Sequence, residues 1–273
     1  MSTHLIDMPK VSVIMSVHND EKFLPKSIKS ILKQKYDDFE FLIVNDGSSD
    51  GTEEIIKNFG EEKITLIKNE KNIGLTSSLN KAIKKTKGKY IARIDADDYS
   101  SSDRLYKQAR YLDKRTEVGV VGSYFRLVDV HENIIREVTP PTHHEKICDI
   151  FVKSGCPIRH SSVMIRKSVL DDVGMYNEKF AQGQDNELWT RVAKKYKIAN
   201  IPEFLCFVRK RKDSITAKRP RIYNQYLHFV NRELARRRLN YSKKYLFTNV
   251  SKSIFRYVKS LAKSFIKTPK IHG

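Results

Sequence analysis

Three aspartates, Asp95, Asp97 and Asp98, follow an apolar run in the segment IARIDADD, residues 91–98. Carboxylates at the end of a buried strand repel one another and lose hydration, so they need a compensating positive charge. A hard divalent ion such as Mg²⁺ or Mn²⁺ prefers a few carboxylate oxygens together with phosphate oxygens and water. The cluster therefore predicts a site where acids hold a metal ion beside a phosphate group.

Polar residues also follow three other predicted strands. His18 and Asn19 come after the first strand, NDGSSDGT (45–52) after the second and NEKNIG (69–74) after the third. Each segment alone is explained by turn chemistry, since Asp, Asn, Ser and Gly bond local backbone groups and cap helices. Together with the aspartates they predict a single ligand crevice beyond the carboxyl ends of the strands.

The apolar pattern of residues 1–130 alternates between two periods. Short β-branched runs predict strands, and apolar residues three and four apart predict amphipathic helices. This alternation indicates βαβ units, and therefore an α/β fold with a Rossmann-like, mostly parallel sheet flanked by helices. The predicted strands are 11–17, 39–45, 63–69, 89–95 and 118–124, and the predicted helices are 21–34, 52–59, 75–86 and 102–114.

The two common phosphate-binding loops do not occur in this sequence. No G-x-G-x-x-G follows the first strand, as a dinucleotide pyrophosphate loop requires, and no G-x-x-x-x-G-K-[ST] marks a P-loop. A carboxylate cluster repels a diphosphate unless a cation lies between them. The acids at 95–98 are therefore predicted to hold a metal ion and a ribose.

These motifs, in their order along the chain, resemble a family 2 glycosyltransferase with a GT-A fold. The resemblance rests on VSVIMSVHNDEKFLPKSIKSIL, FEFLIVNDGSSDGT, NIGLTSSLNKAI and GKYIARIDADD, and it extends through GQDNELWTRVA to about residue 216. It implies a GT-A domain at 1–216, with a nucleotide-sugar-binding half (1–130) and an acceptor-binding half (131–216). A basic helical C-terminal extension, 217–273, would follow this domain.

The resemblance also implies roles for residues of the first half. The D-x-D element of the family falls on Asp95, which would bind the ribose, and Asp97, which would bind the metal ion, Mn²⁺ or Mg²⁺. Asp46 falls on the acid that recognises the base, usually uracil. His18, followed by Asn19, stands where the family usually has a tyrosine that packs on the base, and an imidazole ring can also stack there.

The second half is expected to supply the catalytic base. Asp185 stands at the position of the family's general base, and a carboxylate can accept the proton that a hydroxyl loses as it attacks an anomeric carbon. The alternative role of Asp185 is to cap the helix that begins NELWTRVA. If Asp185 is not the base, Glu187 is the next candidate. His160 is expected either to contact the acceptor or diphosphate, or to make a structural hydrogen bond.

Arg211 stands where the family often has a histidine that ligates the metal. A guanidinium cannot ligate a cation, but it can neutralise a leaving diphosphate directly. Arg209 and Lys212 are candidates to share this role. Metal coordination is therefore expected to be incomplete relative to the family pattern.

Positive charge is concentrated at the C-terminal end of the chain. Residues 204–273 hold 19 Lys and Arg against two acids, so this segment carries +17 of the formal net charge of +20. Apolar residues at helical spacing between 245 and 266, with Lys and Arg at other positions, predict an amphipathic helix on an anionic membrane surface. The alternative is a helix that packs on its own domain.

Length and composition narrow the class of protein. A chain of 273 residues with 40% hydrophobic content can bury one sizeable core and a smaller appendage. No apolar stretch is long enough to span a bilayer, and MSTHLIDMPK does not resemble a secretory leader. These features predict a cytoplasmic protein, peripheral on the inner face of the cell membrane if the tail binds lipid.

The residues and the resemblance together predict a metal-dependent, inverting glycosyltransferase of cell-surface glycan synthesis, of hexosyl or N-acetylhexosaminyl type. It would move a sugar from a nucleotide diphosphate donor, with UDP as the predicted nucleotide, to a hydroxyl of a saccharide or lipid-linked saccharide. A sugar-phosphate nucleotidyltransferase is the first alternative, but it should carry a glycine-rich basic loop after the first strand. A nucleic-acid-binding protein is the second, and it leaves the strand-end motifs unexplained, so no nucleic acid is expected as a partner.

Overall fold

Alternating apolar residues from each central strand pack into two separate layers of core. The computed structural model describes residues 9–180, 182–211 and 221–242. In β1 and β2, Ile14 and Leu42 contribute to one core, whereas Val13 and Phe41 contribute to the other. Successive side chains of a strand point to opposite faces, so a sheet with helices on both sides fills both layers.

The elements of the described residues agree with the α/β prediction. The strands are β1 Val11–Val17, β2 Phe39–Asp46, β3 Ile64–Asn69, β4 Tyr90–Arg93, β5 Tyr99–Ser100, β6 Val118–Val128, β7 Ile134–Val138, β8 Met164–Arg166 and β9 Lys197–Arg209. The helices are α1 Leu24–Leu32, α2 Thr52–Asn58, α3 Leu75–Ile83, α4 Arg104–Lys114, α5 His144–Lys153, α6 Lys167–Val173, α7 Gln184–Lys195 and α8 Arg221–Arg238.

The first half of the sheet is fully parallel. Its strands lie in the order β3-β2-β1-β4, and Val11 is aligned with Phe39 on one side and with Tyr90 on the other. The five strands and four helices predicted for residues 1–130 are all present, with ends that differ by a few residues. The carboxyl ends of four parallel strands therefore meet at one edge of the sheet.

The second half changes direction at β8, which pairs antiparallel with both β4 and β6. The long strands β6 and β9 run parallel to each other and in the same direction as β1 to β4, so the sheet is mostly parallel, as predicted. At the edge, β5 pairs antiparallel with β9, with Tyr99 opposite Phe207. This pairing brings the segment that follows the aspartates against the end of β9.

The last described helix, α8, packs on α5 and α7. Ala235 is buried in the core, and Arg238 donates hydrogen bonds to the Glu187 carbonyl (2.8 Å) and to one Glu187 carboxylate oxygen (2.7 Å). The predicted boundary near 216 and the apolar stripe at 245–266 lie outside the described residues, so both stay predictions. Among the described residues, no helix is long and apolar enough to cross a membrane.

Candidate active site

The loop after β1 is joined to the loop after β2 by side-chain hydrogen bonds. The Ser49 N–H donates to the Asn19 carboxamide oxygen at 2.8 Å, and the Asn19 N–H donates to the Ser48 hydroxyl at 3.0 Å. A ring nitrogen of His18 lies 2.9 Å from the Asp46 carbonyl oxygen. The structure therefore brings His18, Asn19 and Asp46 together at the strand ends.

Asp46 connects the loops after β2 and β3. Its carboxylate accepts hydrogen bonds from the Asn69 side chain (2.8 Å) and from the backbone N–H groups of Ile73 (2.9 Å) and Gly74 (3.0 Å). Gly47 allows these loops to approach, because it has a φ of +67° and a Cβ there would lie 2.5 Å from the Lys71 backbone. Asp46 is buried, and these hydrogen bonds make it an organising residue of this part of the crevice.

The three aspartates after β4 form a cluster in which one carboxylate oxygen of each lies within 4.8 Å of the others. Arg93 forms a two-pronged ion pair with Asp95, one of whose carboxylate oxygens also lies 3.1 Å from the Ser161 hydroxyl oxygen. Asp98 accepts hydrogen bonds from the Ser161 hydroxyl and, at 2.8 Å, from the Arg209 N–H. Convergent carboxylate oxygens suit a hard divalent cation.

The three carboxyl groups have different pKa values. Burial would raise the pKa of Asp95, but the charge and hydrogen bonds of Arg93 lower it to about 2. Burial together with the charge of Asp95 raises the pKa of Asp98 to about 6. Burial and the charges of Asp98, Asp95 and Asp20 raise the pKa of Asp97 to about 8, against the opposing charge of Arg211. An added cation would therefore stabilise the ionised form of Asp97 most.

Two arginines at the end of β9 face the cluster in different ways. The Arg211 guanidinium lies 2.7 Å from an Asp20 carboxylate oxygen and 3.4 Å from one of Asp97. Arg209 is buried and donates from Nε to the Asp97 carbonyl at 3.0 Å and from Nη1 to the Asp129 carbonyl at 3.2 Å. Arg209 therefore fixes the loop that carries the acids, and its action on a diphosphate stays a prediction.

Asp185 lies in the first turn of α7. The N-cap position is taken by Gly183, whose φ of 71° is left-handed, so the expectation that Asp185 itself caps the helix is wrong. Burial raises the pKa of Asp185, although the Asn186 N–H and the charges of Arg93 and Arg159 act in the opposite direction. A carboxylate with a raised pKa is a stronger proton acceptor than an ordinary one.

Glu187, two residues further on, is occupied by two arginines. One of its oxygens lies 2.9 Å from Arg191 Nη2 and the other 2.7 Å from Arg238 Nη2, and its side chain is buried. A carboxylate that is bound on both oxygens by guanidinium groups is a poor proton acceptor. The geometry therefore favours Asp185 over Glu187 as the base.

His160 belongs to a buried aromatic group rather than to the open part of the crevice. Its Nε2 lies 2.6 Å from the Tyr176 hydroxyl, and its ring meets the Trp189 ring edge to face with centroids 6.0 Å apart. Burial lowers the pKa of His160 well below its ordinary value, which keeps the ring neutral. This environment matches the structural alternative for His160 and not the diphosphate contact.

Sequence reasoning did not select four residues that the structure places at the cluster. Asp20, Arg93, Arg159 and Ser161 all contact or face the aspartates. The period of a strand could have identified Arg93, because it stands two residues before Asp95 and so lies on the same face. No local pattern indicates Ser161, which reaches the cluster from 63 residues away.

The family model described as glycosyl transferase family 2 matches residues 12–174. The chain belongs to this family. It is a glycosyltransferase with the GT-A fold, and the resemblance seen in the sequence is confirmed.

Two relatives span most of this family 2 chain. An uncharacterized glycosyltransferase of Methanocaldococcus jannaschii is 36% identical over 240 residues, which cover 84% of this chain and 82% of that protein. The O-antigen biosynthesis glycosyltransferase WbnJ of Escherichia coli is 32% identical over 268 residues, which cover 96% of this chain and 100% of WbnJ.

Solved structures show the same GT-A fold. TarS of S. aureus, in complex with UDP-GlcNAc, aligns with a TM-score of 0.66 and 19% identity over 87% of this chain and 75% of that one. The mannosyltransferase PcManGT of Pyrobaculum calidifontis, in complex with GDP-Man and Mn²⁺, aligns with a TM-score of 0.65 and 16% identity over 96% and 76%. At these identities the likeness establishes the fold alone.

Proposed function

We propose that this glycosyltransferase moves a hexosyl or N-acetylhexosaminyl group from a UDP-sugar to a hydroxyl of a saccharide or lipid-linked saccharide, with inversion. The observation that supports the proposal is that the same two arginines, Arg93 and Arg159, act on the acid cluster and on Asp185. Asp97 lies in the acid cluster, and Asp185 lies within electrostatic reach of Arg93 and Arg159, the arginines that face the same cluster. One carboxylate group suits donor binding and the other suits proton removal.

The donor would lie along the strand ends. His18 and Asn19 would contact the base, Asp46 would recognise it, and Asp95 would approach the ribose. Asp97 would hold a divalent cation, whose charge would offset the negative charge that develops on the departing diphosphate. The fit to a hard cation rests on the convergent carboxylate oxygens and on the repulsion that raises the pKa of Asp97.

Arg211 would add a second positive charge beside the diphosphate. Its guanidinium already lies among carboxylates, 3.4 Å from Asp97, and a diphosphate bound there would offer it further acceptor oxygens. Arg209 would act mainly through the loop that it holds, and His160 through its hydrogen bond with Tyr176.

Asp185 would accept the proton of the acceptor hydroxyl as that oxygen forms its bond to the anomeric carbon and the bond to the diphosphate oxygen breaks. A single displacement inverts the anomeric configuration. A double displacement with retention would need a second carboxylate as nucleophile, and Glu187 is engaged by Arg191 and Arg238. Because both oxygens of Glu187 are held in ion pairs, Glu187 is a poor nucleophile, and this supports inversion.

UDP is favoured over other nucleotides by the family pattern at Asp46, and TarS was solved with UDP-GlcNAc. PcManGT was solved with GDP-Man and Mn²⁺, so GDP is the competing nucleotide and Mn²⁺ is the first cation to test. WbnJ is named for O-antigen biosynthesis, which supports a surface-glycan acceptor.

Incubating the protein with UDP-GlcNAc, UDP-glucose, UDP-galactose or GDP-mannose and Mn²⁺, and measuring released nucleotide, tests the donor class. Release from GDP-mannose alone would contradict the UDP proposal.

The segment 217–273 is proposed to hold the enzyme on the inner face of the membrane, next to a lipid-linked acceptor. Its support is the positive charge of residues 204–273. Each Lys or Arg near an anionic surface contributes about 1 kcal/mol, and added salt weakens the attraction. A chain ending at Ser242 keeps α8 on its core and is the control. Flotation of the full chain with anionic but not neutral vesicles is expected, and equal flotation of both chains would contradict the proposal.

A further inference from the structure

Arg159 differs from the other arginines around the acid cluster. Arg93, Arg209 and Arg211 each donate hydrogen bonds to a carboxylate or carbonyl, whereas the closest acid to Arg159 is Asp98, with Nη2 4.0 Å from Oδ2. The Arg159 Nε is buried without a hydrogen-bond partner in the described part of the chain. Its side chain is nevertheless 41% exposed, so the guanidinium can reach a ligand.

The backbone that carries Arg159 is fixed. Its carbonyl accepts hydrogen bonds of 2.9 Å from both the N–H and the hydroxyl of Ser162, at the start of a short 3₁₀ turn, His160–Ser162. Within this turn, the Ser161 hydroxyl lies within hydrogen-bond distance of the carboxylates of both Asp95 and Asp98. A side chain on a rigid support loses less entropy when it binds a ligand.

The carboxylates whose charges act on Arg159 belong to both parts of the site. Desolvation lowers the pKa of the Arg159 guanidinium, but the charges of the Asp98, Asp95 and Asp185 carboxylates act in the opposite direction, and the pKa is raised. Asp98 and Asp95 belong to the metal-binding side, and Asp185 is the proposed base. The group that lies between a diphosphate and an attacking hydroxyl is the sugar being transferred.

The same charges restrict what Arg159 can bind. A phosphate or carboxylate that contacted this guanidinium away from the cation would also face the three surrounding aspartates, and their repulsion would offset its attraction to Arg159. A neutral ligand with hydroxyl groups meets no such repulsion. Hydroxyl oxygens can accept from the guanidinium N–H groups while one of their protons is donated to Asp95, whose side chain is 28% exposed.

We propose that Arg159 donates hydrogen bonds to hydroxyl groups of the transferred sugar and thereby determines which sugar is accepted. This inference rests on the proposed function, because it needs a nucleotide-sugar donor. It assigns Arg159 to the sugar of the donor and not to its nucleotide or to the acceptor. Loss of the residue should therefore affect a nucleotide sugar but not the free nucleotide.

The test compares binding of UDP-GlcNAc and UDP to Arg159→Gln, Arg159→Lys and the parent protein, with Mn²⁺ present, by calorimetry. Loss of one hydrogen bond between a ligand and a charged side chain weakens binding by roughly tenfold. We expect UDP-GlcNAc to bind Arg159→Gln about tenfold more weakly, while UDP affinity changes less than twofold. Arg110→Gln, on the exposed face of α4, is the matched control and should change neither.

Equal weakening of UDP and UDP-GlcNAc would overturn the proposal in favour of a phosphate contact, and no weakening of either would also overturn it. A raised KM for the acceptor alone would assign Arg159 to the acceptor instead. A thermal melt checks that each variant is folded. If Arg159→Gln unfolds, the same comparison of UDP-GlcNAc and UDP binding is made with Arg159→Lys. If the parent protein binds UDP-GlcNAc weakly, UDP-glucose, UDP-galactose and GDP-mannose are compared with UDP and GDP in the same way. A parent protein that binds none of them refutes the proposed function itself.

Discussion

Arg211 and Asp97 form an ion pair across the site, with Arg211 Nη1 3.4 Å from Asp97 Oδ2. The same nitrogen lies 2.7 Å from an Asp20 carboxylate oxygen, and the guanidinium lies over the Phe23 ring, 4.7 Å from its centroid. The carboxylate proposed to hold the metal is therefore already balanced in part by a side chain. A divalent cation must compete with this guanidinium.

Replacement of Arg211 by alanine should raise the affinity for Mn²⁺ alone by several-fold, because Asp97 and Asp20 lose a competing positive charge. The same change should weaken UDP binding at saturating Mn²⁺, since a cation beside the diphosphate is lost. Titration of Mn²⁺ and then UDP by calorimetry measures both effects. Arg110→Gln is again the control, and unchanged Mn²⁺ affinity in Arg211→Ala would refute the competition.

Asp185→Asn should keep the fold and UDP binding but reduce sugar transfer by about 10² to 10⁴, the usual contribution of a general base. The amide has the shape of the carboxylate but cannot accept the proton. Initial rates at saturating donor and acceptor, measured beside UDP affinity, check this prediction. Transfer within a few-fold of the parent rate would assign proton removal to another residue.

Glu187→Gln should mainly change stability. Removing one partner of a buried ion pair costs about 3 to 5 kcal/mol, because the remaining charges lose their compensation, and Arg191 and Arg238 are partly exposed, so we expect the low end of that range. Urea unfolding gives the free energy of unfolding of both proteins. A loss below about 1 kcal/mol would mean that the pair with α8 contributes little.

The strand ends of residues 1–130 could be predicted because they depend on local pattern. Apolar runs, turn residues and their alternation indicate where β1 to β4 stop, and the polar residues after them follow directly. The partners of the acids could not be predicted in this way. Ser161 and Arg238 reach Asp98 and Glu187 across 63 and 51 residues, and only the packed fold sets such contacts.

The second half of the sheet was also hard to predict, for a related reason. β8 has three residues and runs against its two neighbours, so neither its length nor its direction is indicated by a periodic pattern. β5 has two residues and exists through its pairing with β9. Arg159 precedes the short turn that leads into β8, and Arg209 ends the strand that pairs with β5, so the contacts of both depend on pairings that the sequence alone did not indicate.

His160 should make stability fall as pH falls through the range below about 6.5, the ordinary histidine pKa. Its pKa is depressed in the folded protein, so the unfolded chain binds the proton more readily and protonation favours unfolding. For one such group the loss between pH 6.5 and 5 is at most about 2 kcal/mol.

Urea unfolding of the parent protein and of His160→Gln at pH 7 and pH 5 isolates this effect. Other groups titrate in the same interval, and the difference between the two proteins removes their contribution. The pH dependence should be smaller in His160→Gln. An equal dependence in both proteins would show that His160 is protonated without cost, and the buried, neutral assignment would be wrong.

The central claim is that a divalent cation held by Asp97 joins the acid cluster to the diphosphate of the donor. Calorimetric titration of UDP into the parent protein and Asp97→Asn, each with Mn²⁺ and with EDTA, tests it most directly. We expect UDP to bind the parent protein with Mn²⁺, and its affinity to fall at least tenfold in EDTA or in Asp97→Asn, because carboxylates and diphosphate repel without the ion. Equal UDP affinity with Mn²⁺ and with EDTA would contradict the claim.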